Sequence, residues 1–246
     1  MRLRDKTAVI TGAGSGFGEG IAKRFVEEGA QVLVADINSP AAQRVAKEIN
    51  AVACAVDVAN DKSVQAMANF AIEAFGSIDI LVNNAGVTHL NQPMLDVDEA
   101  TFDQVYAVNV KSIYLTAKHI VPKLIETAGN IVNIASTAAI SPRAGLTWYN
   151  GTKGAVVTLT KSMAIELAPH RVRVNAVNPV LGTTGLTARF MGGIDNSIIR
   201  EKFISTIPLG RMSTPLDIAN ATLFLACHEA DLVTGLCMEI DGGRCI

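Results

Sequence analysis

Apolar residues gather in short, nearly unbroken runs at residues 7–11, 32–35, 52–56, 78–82, 130–135 and 172–177, with a last run at 237–240. Runs of this length without polar alternation predict strands buried on both faces, as in a parallel sheet covered by helices. Between them the spacing turns helical. In residues 20–28, Ile21, Phe25 and Glu28 share one helix face and Gly29 supplies the stop; residues 61–75 end in the same way, at Gly76. This alternation predicts right-handed crossovers and an α/β fold, a doubly wound parallel sheet with helices on both faces, forming a single domain over residues 1–246. In such sheets ligands bind outside the carboxyl ends of the strands.

Residues 179–213 break the alternation. An irregular stretch this long predicts a substrate-binding loop or lid, and Thr214 and Pro215 then restart a helix as N-cap and first residue. No repeat, low-complexity tract or Pro/Gly/Ser linker divides the chain. A chain of 246 residues that is 49% hydrophobic can bury a sizeable core. Its 21 basic and 23 acidic residues are scattered and leave a net charge of −2, which argues against nucleic acid or a membrane surface and leaves a small molecule as the expected partner. The four cysteines contain no C-x-x-C pair and the four histidines lie far apart, so neither a disulfide framework nor a metal site is signalled. No apolar run approaches the roughly 20 residues of a membrane span. Residues 1–5 lead into the first strand without a signal-peptide core, and the expectation is a cytoplasmic protein.

The first strand runs into a turn with glycine at every second position: Gly12, Gly14, Gly16 and Gly18, interleaved with Ser15 and Phe17. Glycine lets backbone amides approach a pyrophosphate closely, and the helix that follows adds the partial positive charge of its N-terminus. The pattern is G-x-x-x-G-x-G rather than G-x-G-x-x-G. Asp36 ends the second strand, where a carboxylate accepts both adenosine ribose hydroxyls. It favours NAD over NADP, because a 2′-phosphate would meet a like charge there and neither Ser15 nor Ile37 offers a cation. After the third strand, Asp57 and Val58 are expected beside the adenine, although Asp57 fits a plain turn carboxylate equally well.

Moving a hydride between an alcohol and a nicotinamide requires a proton acceptor and a group that fixes the reacting oxygen. Tyr149 and Lys153 stand four apart at the start of a helical run, 150–167, so they share a face, and the ammonium is expected to lower the phenol's pKa. Ser136 follows the fifth strand at the ligand-binding edge. Tyr114 and Lys118 repeat the spacing, but no strand-end serine precedes them, and Tyr114 reads as a core or interface aromatic.

In order and spacing these residues resemble the short-chain dehydrogenase/reductases over essentially the whole chain. Residues 11–18 are similar to that family's cofactor turn; Asn83, Asn84, Ala85 and Gly86 to its fourth-strand motif; Asn109 to its helix asparagine; Ser136, Tyr149 and Lys153 to its catalytic set. Pro179 and Thr183 resemble the segment that contacts the nicotinamide amide, with Val180 where glycine is usual. The resemblance implies a Rossmann-like sheet, Tyr149 as general acid/base, and Lys153 also binding the nicotinamide ribose. It further implies that Ser136 orients substrate and that Asn109 helps to hold a proton-relay water. A homotetramer is implied too, which the apolar helix at 155–167 and the apolar C-terminal tail also fit.

The substrate expected is a compact polyol, sugar or hydroxy acid. Arg143, between the serine and the tyrosine, fits a carboxylate clamp, but a solvated or interface arginine is the favoured reading. Trp148, His89, Leu181, Phe190 and Met191 fit either the remaining wall or core and lid packing. Three other functions share parts of this pattern. A 3-oxoacyl carrier-protein reductase shares the same catalytic set, usually prefers NADPH, and needs basic residues to dock an acidic carrier, for which Arg171 and Arg173 are the candidates. A non-catalytic NAD(H) sensor has no need of a tuned phenol. A sugar-nucleotide epimerase needs a separate substrate domain.

Overall fold

The structure is a computed structural model that describes residues 1–193 and 196–246. All seven apolar runs are strands: β1 Thr7–Thr11, β2 Gln31–Asp36, β3 Val52–Ala55, β4 Ile80–Asn83, β5 Asn130–Ile134, β6 Arg173–Pro179 and β7 Cys237–Ile240. They form one parallel sheet in the order β3-β2-β1-β4-β5-β6-β7, with Ala8 of β1 in register with Val32 on one side and Ile80 on the other. Sequence order reverses between β1 and β4. The crossovers leave from opposite sides there, and a crevice opens outside the carboxyl ends of these two strands.

Both faces of the sheet are covered, as the unbroken apolar runs required. Ile10, Val34, Val82 and Val132 look towards α1 (Gly16–Glu27), α2 (Ser39–Ile49) and α9 (Pro215–Ala226), joining Phe25, Val45 and Leu223 in one core. Val9, Leu33, Leu81 and Ile131 look the other way, towards α3 (Asp61–Phe75), α5 (Ser112–Thr127) and α6 (Thr147–Leu167). The helix restart at Thr214 is as expected: its hydroxyl accepts the Asp217 N–H at 3.3 Å while the Asp217 carboxylate accepts the Thr214 N–H at 2.8 Å, with Pro215 in first position.

Two boundaries differ from expectation. Helix α6 begins at Thr147, so Tyr149 lies inside its first turn rather than ahead of it. The stretch 179–213 is not wholly irregular: Pro179 closes β6, and α7 (Thr187–Phe190) and α8 (Ser197–Ile204) follow. Asn196 caps α8 by accepting the Ile199 N–H at 2.9 Å, a signal readable in the sequence. Ile194 and Asp195 of the predicted loop lie outside the described residues. Among the described residues no helix is long and apolar enough to cross a membrane.

One polar chain runs through the second core. The Thr116 hydroxyl of α5 donates to Asn83 of β4 at 2.9 Å, Asn83 donates to Asn133 of β5 at 2.9 Å, and Asn133 donates to the Thr160 hydroxyl of α6 at 2.9 Å. Asn133 and Thr160 are completely buried. The chain therefore fixes the height of α5 and α6 against the strands that end at the crevice. Asn133→Val orphans the Asn83 amide donor, and an unmet buried donor costs about 1–3 kcal/mol. Denaturant unfolding is expected to show a loss of about 2 kcal/mol, with no change in the slope of the transition.

Candidate active site

A cleft of about 430 Å³ follows the carboxyl edge of the sheet from Asp36 and Asp57 to Phe203. Its first wall is the glycine turn. Gly12 and Gly16 have φ of +64° and +59°, the left-handed region that side chains resist. Ser15 is the N-cap of α1 but makes no side-chain capping bond, which leaves the first-turn amides uncapped where Ser15, Gly16 and Phe17 line the cleft. Gly18 lies behind the lining: a Cβ there would collide with the Gly12 carbonyl and the Asn84 side chain. Asn84 braces the turn, donating to the Thr11 and Gly12 carbonyls at 2.9 and 3.0 Å. Ala85 and Gly86 line the cleft beside it.

Asp36 is anchored by its neighbours, accepting the Gly14 N–H at 2.8 Å and the Asn38 N–H at 2.9 Å, and its carboxylate stands at the cleft. Sequence reasoning missed Arg44, brought close to this turn by α2. It donates to the Gly14 carbonyl at 3.0 Å and pairs with Glu19 at 2.8 Å and Glu48 at 3.4 Å. Lys23 pairs with the same two carboxylates at 2.8 Å each, so Arg44 and Lys23 share Glu19 and Glu48 between them. Asp57 and Val58 line the cleft too; Asp57 also serves its own turn, accepting the Ala59 N–H at 2.9 Å. Uncapped helix amides beside a positive-φ turn, with a fixed carboxylate at the end of β2, fit a dinucleotide: amides for a pyrophosphate and Asp36 for a ribose diol.

At the other end Ser136, Tyr149 and Lys153 come together. Ser136 follows β5 and its Oγ accepts the Ala138 N–H at 3.1 Å, starting the 3₁₀ turn Thr137–Ala139. Tyr149 is buried, with the Phe190 ring edge-on at 5.1 Å. Lys153 lies one helical turn on, its Nζ 5.7 Å from the Tyr149 ring centroid and donating to the Ile134 carbonyl at 2.9 Å. The expected lowering of the phenol is reversed here. Burial pushes Tyr149 up to about 12, against the pull of its hydrogen bond with Ser136, and burial holds Lys153 down to about 8. The cause is dryness: the ammonium is turned to a backbone carbonyl and both groups have lost water.

Asn109 lies in a single π-helical turn, Ala107–Lys111, that joins α4 (Glu99–Tyr106) to α5. Its side chain is fully engaged, accepting the Val87 N–H at 2.9 Å and donating to the Val87 carbonyl at 2.9 Å and the Thr152 hydroxyl at 3.0 Å. The decoy pair serves elsewhere. Tyr114 is 62% exposed, so it is no core aromatic, and Lys118 pairs with Asp61 at 3.0 Å.

The substrate candidates divide. Leu181, Phe190, Pro179 and Arg143 line the cleft. The Arg143 guanidinium sits 3.4 Å over the Phe203 ring and donates to the Thr206 hydroxyl at 3.1 Å, so it is neither freely solvated nor ion-paired. His89 is buried off the lining, its Nδ1 2.7 Å from the Leu90 carbonyl. Trp148 also faces away, donating to the Met94 carbonyl at 3.1 Å and meeting Phe102 edge-on. Met191 lines a neighbouring cleft. In place of Thr183, whose N–H donates to the Ser213 carbonyl at 3.3 Å, Thr184 lines the wall with Gly182, Leu186 and Phe203. Sequence reading did not mark these four; their signal is their place on the segment that returns over the cleft.

This sheet and cleft define an α/β oxidoreductase of the dinucleotide-binding kind. Residues 12–244 match a family model described as enoyl-(acyl carrier protein) reductase, and the chain belongs to the short-chain dehydrogenase/reductase family. It is 47% identical over 250 residues to 4-formylbenzenesulfonate dehydrogenase of Comamonas testosteroni, covering 99% of both chains. It is 37% identical to meso-2,3-butanediol dehydrogenase of Serratia marcescens, over 99% of this chain and 96% of that one. The crystal structure of a 3-ketoacyl-(acyl-carrier-protein) reductase from Brucella melitensis complexed with NADH superposes with a TM-score of 0.94 at 45% identity, over 99% of this chain and 100% of that one.

A buried ammonium costs the fold stability while it is charged. A value of about 8 against an ordinary 10.5 means that the folded chain disfavours the protonated form. Lys153→Met should therefore stabilise the free protein near pH 7 by about 2 kcal/mol, after subtracting about 1 kcal/mol for the lost bond to Ile134. The unfolded chain holds the proton between about 8 and 10.5, so the gain should fade across that window; thermal melts over a pH series read this directly.

Proposed function

We propose that this enzyme oxidises or forms a small alcohol by hydride transfer with NAD(H), with Tyr149 as its acid/base. The observation that carries this reading is the buried Tyr149 between Ser136 and Lys153, in a cleft continuous with the uncapped turn of α1. A bound NAD(H) would supply the hydride exchange with the alcohol or carbonyl carbon. Ser136 holds the reacting oxygen, and in oxidation Tyr149 takes the hydroxyl proton as the carbonyl forms. Lys153 stabilises the phenolate by its charge and would hold the nicotinamide ribose; the Asn109 side chain positions the Val87 segment and the Thr152 turn. Ser15, Gly16, Phe17 and Asp36 hold the adenosine diphosphate half, and Pro179 and Thr184 border the nicotinamide. Residues 179–213 form the substrate-binding loop of a single catalytic domain.

Compact alcohols and carbonyl compounds suit the cleft, and the names of the Comamonas and Serratia relatives point to small aldehydes and diols. A carrier-protein reductase is the second reading, favoured by the Brucella neighbour. That neighbour is complexed with NADH, so cofactor choice alone does not separate the two readings. Of the two expected carrier-docking arginines, Arg173 is half-buried and donates to the Leu225 and Val233 carbonyls at 2.8 and 3.3 Å, which weakens the second reading, while Arg171 is exposed. Turnover of an acetoacetyl thioester in preference to free alcohols would bring this reading forward. A sensor reading falls with turnover of any alcohol. Four free cysteines suit a reducing cytoplasm, which fractionation of the native source tests.

Three outcomes are expected. The ratio of kcat/KM for NAD to that for NADP should exceed about 100, since a 2′-phosphate would face Asp36 while Arg44 is already bonded to Glu19 and Glu48; parity would overturn the assignment. Tyr149→Phe should remove at least about 1,000-fold of turnover and keep NADH binding, while Tyr114→Phe changes little. If the order reverses in folded proteins, the wrong tyrosine has been chosen. Exposed Tyr114 and Ile165 on α5 and α6 suit a tetramer, so light scattering should give about four times 25.9 kDa. A monomer at micromolar protein removes that part of the reading.

A further inference from the structure

A second cleft, of about 430 Å³, lies against the first where the 179–213 segment returns over it. Asn91, Met191 and Ile199 line the second cleft alone, whereas Arg143, Phe190 and Phe203 line both. Side chains that face two separate spaces are the wall between them.

The wall is held shut by a closed set of contacts. The Arg143 guanidinium lies 3.4 Å over the Phe203 ring and donates to the Thr206 hydroxyl at 3.1 Å, and that hydroxyl donates to the Phe203 carbonyl at 2.7 Å. One cation thus grips both the ring and the turn that carries it. The loop behind Arg143 is fixed as well. The Asn150 amide, one residue after Tyr149, donates to the Arg143 carbonyl at 2.9 Å, and Arg244 of the C-terminal tail donates to the Ser141 hydroxyl at 3.1 Å. Phe190 stands edge-on to Tyr149 at 5.1 Å, so a change there would disturb the phenol; Phe203 is the part of the wall that Arg143 holds instead.

We propose that Phe203, clamped by Arg143, limits the length of the substrate: the chain beyond the reacting carbon ends at this ring, and only removal of the ring joins the two clefts. This rests on the alcohol–carbonyl reading above and narrows it to short-chain alcohols and ketones. Phe203 is a specificity residue and Arg143 its positioning residue. Neither takes part in proton transfer.

The test reads binding apart from turnover by using complexes that cannot react. Protein saturated with NAD is titrated calorimetrically with unbranched methyl ketones from 2-butanone to 2-nonanone, which the oxidised cofactor cannot reduce. Each methylene that finds apolar room tightens binding about fourfold. In the parent protein this gain should stop within the series. In Phe203→Ala it should continue, raising the affinity of 2-nonanone relative to 2-butanone at least about tenfold over the parent ratio. Ile199→Trp fills the second cleft; it should cancel the gain in the Phe203→Ala background and leave the parent ratio within about twofold. Arg143→Met, which frees the ring, should give part of the gain. Should Phe203→Ala not fold, Phe203→Leu makes the same comparison with a smaller shift. An unbroken gain in the parent, or no binding of any ketone there, overturns the proposal whatever the variants' folding. So does a shortened Phe203 side chain that keeps the parent ratio, or a gain that Ile199→Trp leaves intact. Oxidation of the matching 2-alkanols is followed in parallel. A length limit in binding without turnover of any alcohol supports the wall and removes the hydride reading; turnover at every length with no limit does the reverse.

Discussion

The amides of Asn83 and Asn133 sit in a sheet whose two faces otherwise accept apolar side chains, and they are tolerable there only because each finds its partner. Their bonds to Thr116 and Thr160 set α5 and α6 at fixed heights on β4 and β5. The position of everything at the working end follows from that. Tyr149 and Lys153 sit on α6, and the π-helical turn holding Asn109 runs directly into α5. A slip of α6 by one residue would break the amide chain and move the phenol away from Ser136 together.

Charge is arranged along the cleft in a definite sequence. The carboxylate of Asp36 comes first, then the uncapped amides of α1, then the dry phenol and ammonium pair, and at the far end the Arg143 guanidinium. Where cations approach the turn end, as Arg44 and Lys23 do, the fold supplies Glu19 and Glu48 for them to share; among the described residues Arg143 meets the Phe203 ring and the Thr206 hydroxyl instead.

Much of this was legible before the fold was seen, for physical reasons. Strands buried on both faces leave no room for polar alternation, so β1, β2, β4, β5 and β6 stood out, and the half-buried edge strands β3 and β7 kept enough apolar residues to be found with them. The glycine turn, Asp36 and the Ser136–Tyr149–Lys153 spacing were visible because each depends on local backbone or helical period. What was not legible depends on distance in sequence or on solvation. Arg44 lies 30 residues from the carbonyl it touches and Arg244 lies 103 from Ser141. The direction of the Tyr149 shift depends on burial, which spacing alone does not report. His89 and Trp148 carry ring nitrogens that suit a substrate wall, but the folded chain turns them to the Leu90 and Met94 carbonyls.

Asn109 makes a different point. With its Oδ1 and Nδ2 it receives and returns the two bonds of Val87 at 2.9 Å each, as the main chain of a neighbouring strand would. The side chain is a one-residue strand laid beyond the end of β4, where a helix leaves no space for a real one. Aspartate has the same shape but no donor, and would set its charge against the Val87 carbonyl; glutamine has both groups but is one methylene too long. The loops around the cleft can be lengthened and recast over evolutionary time, but this rung cannot be moved by a residue or rewritten in another side chain's alphabet.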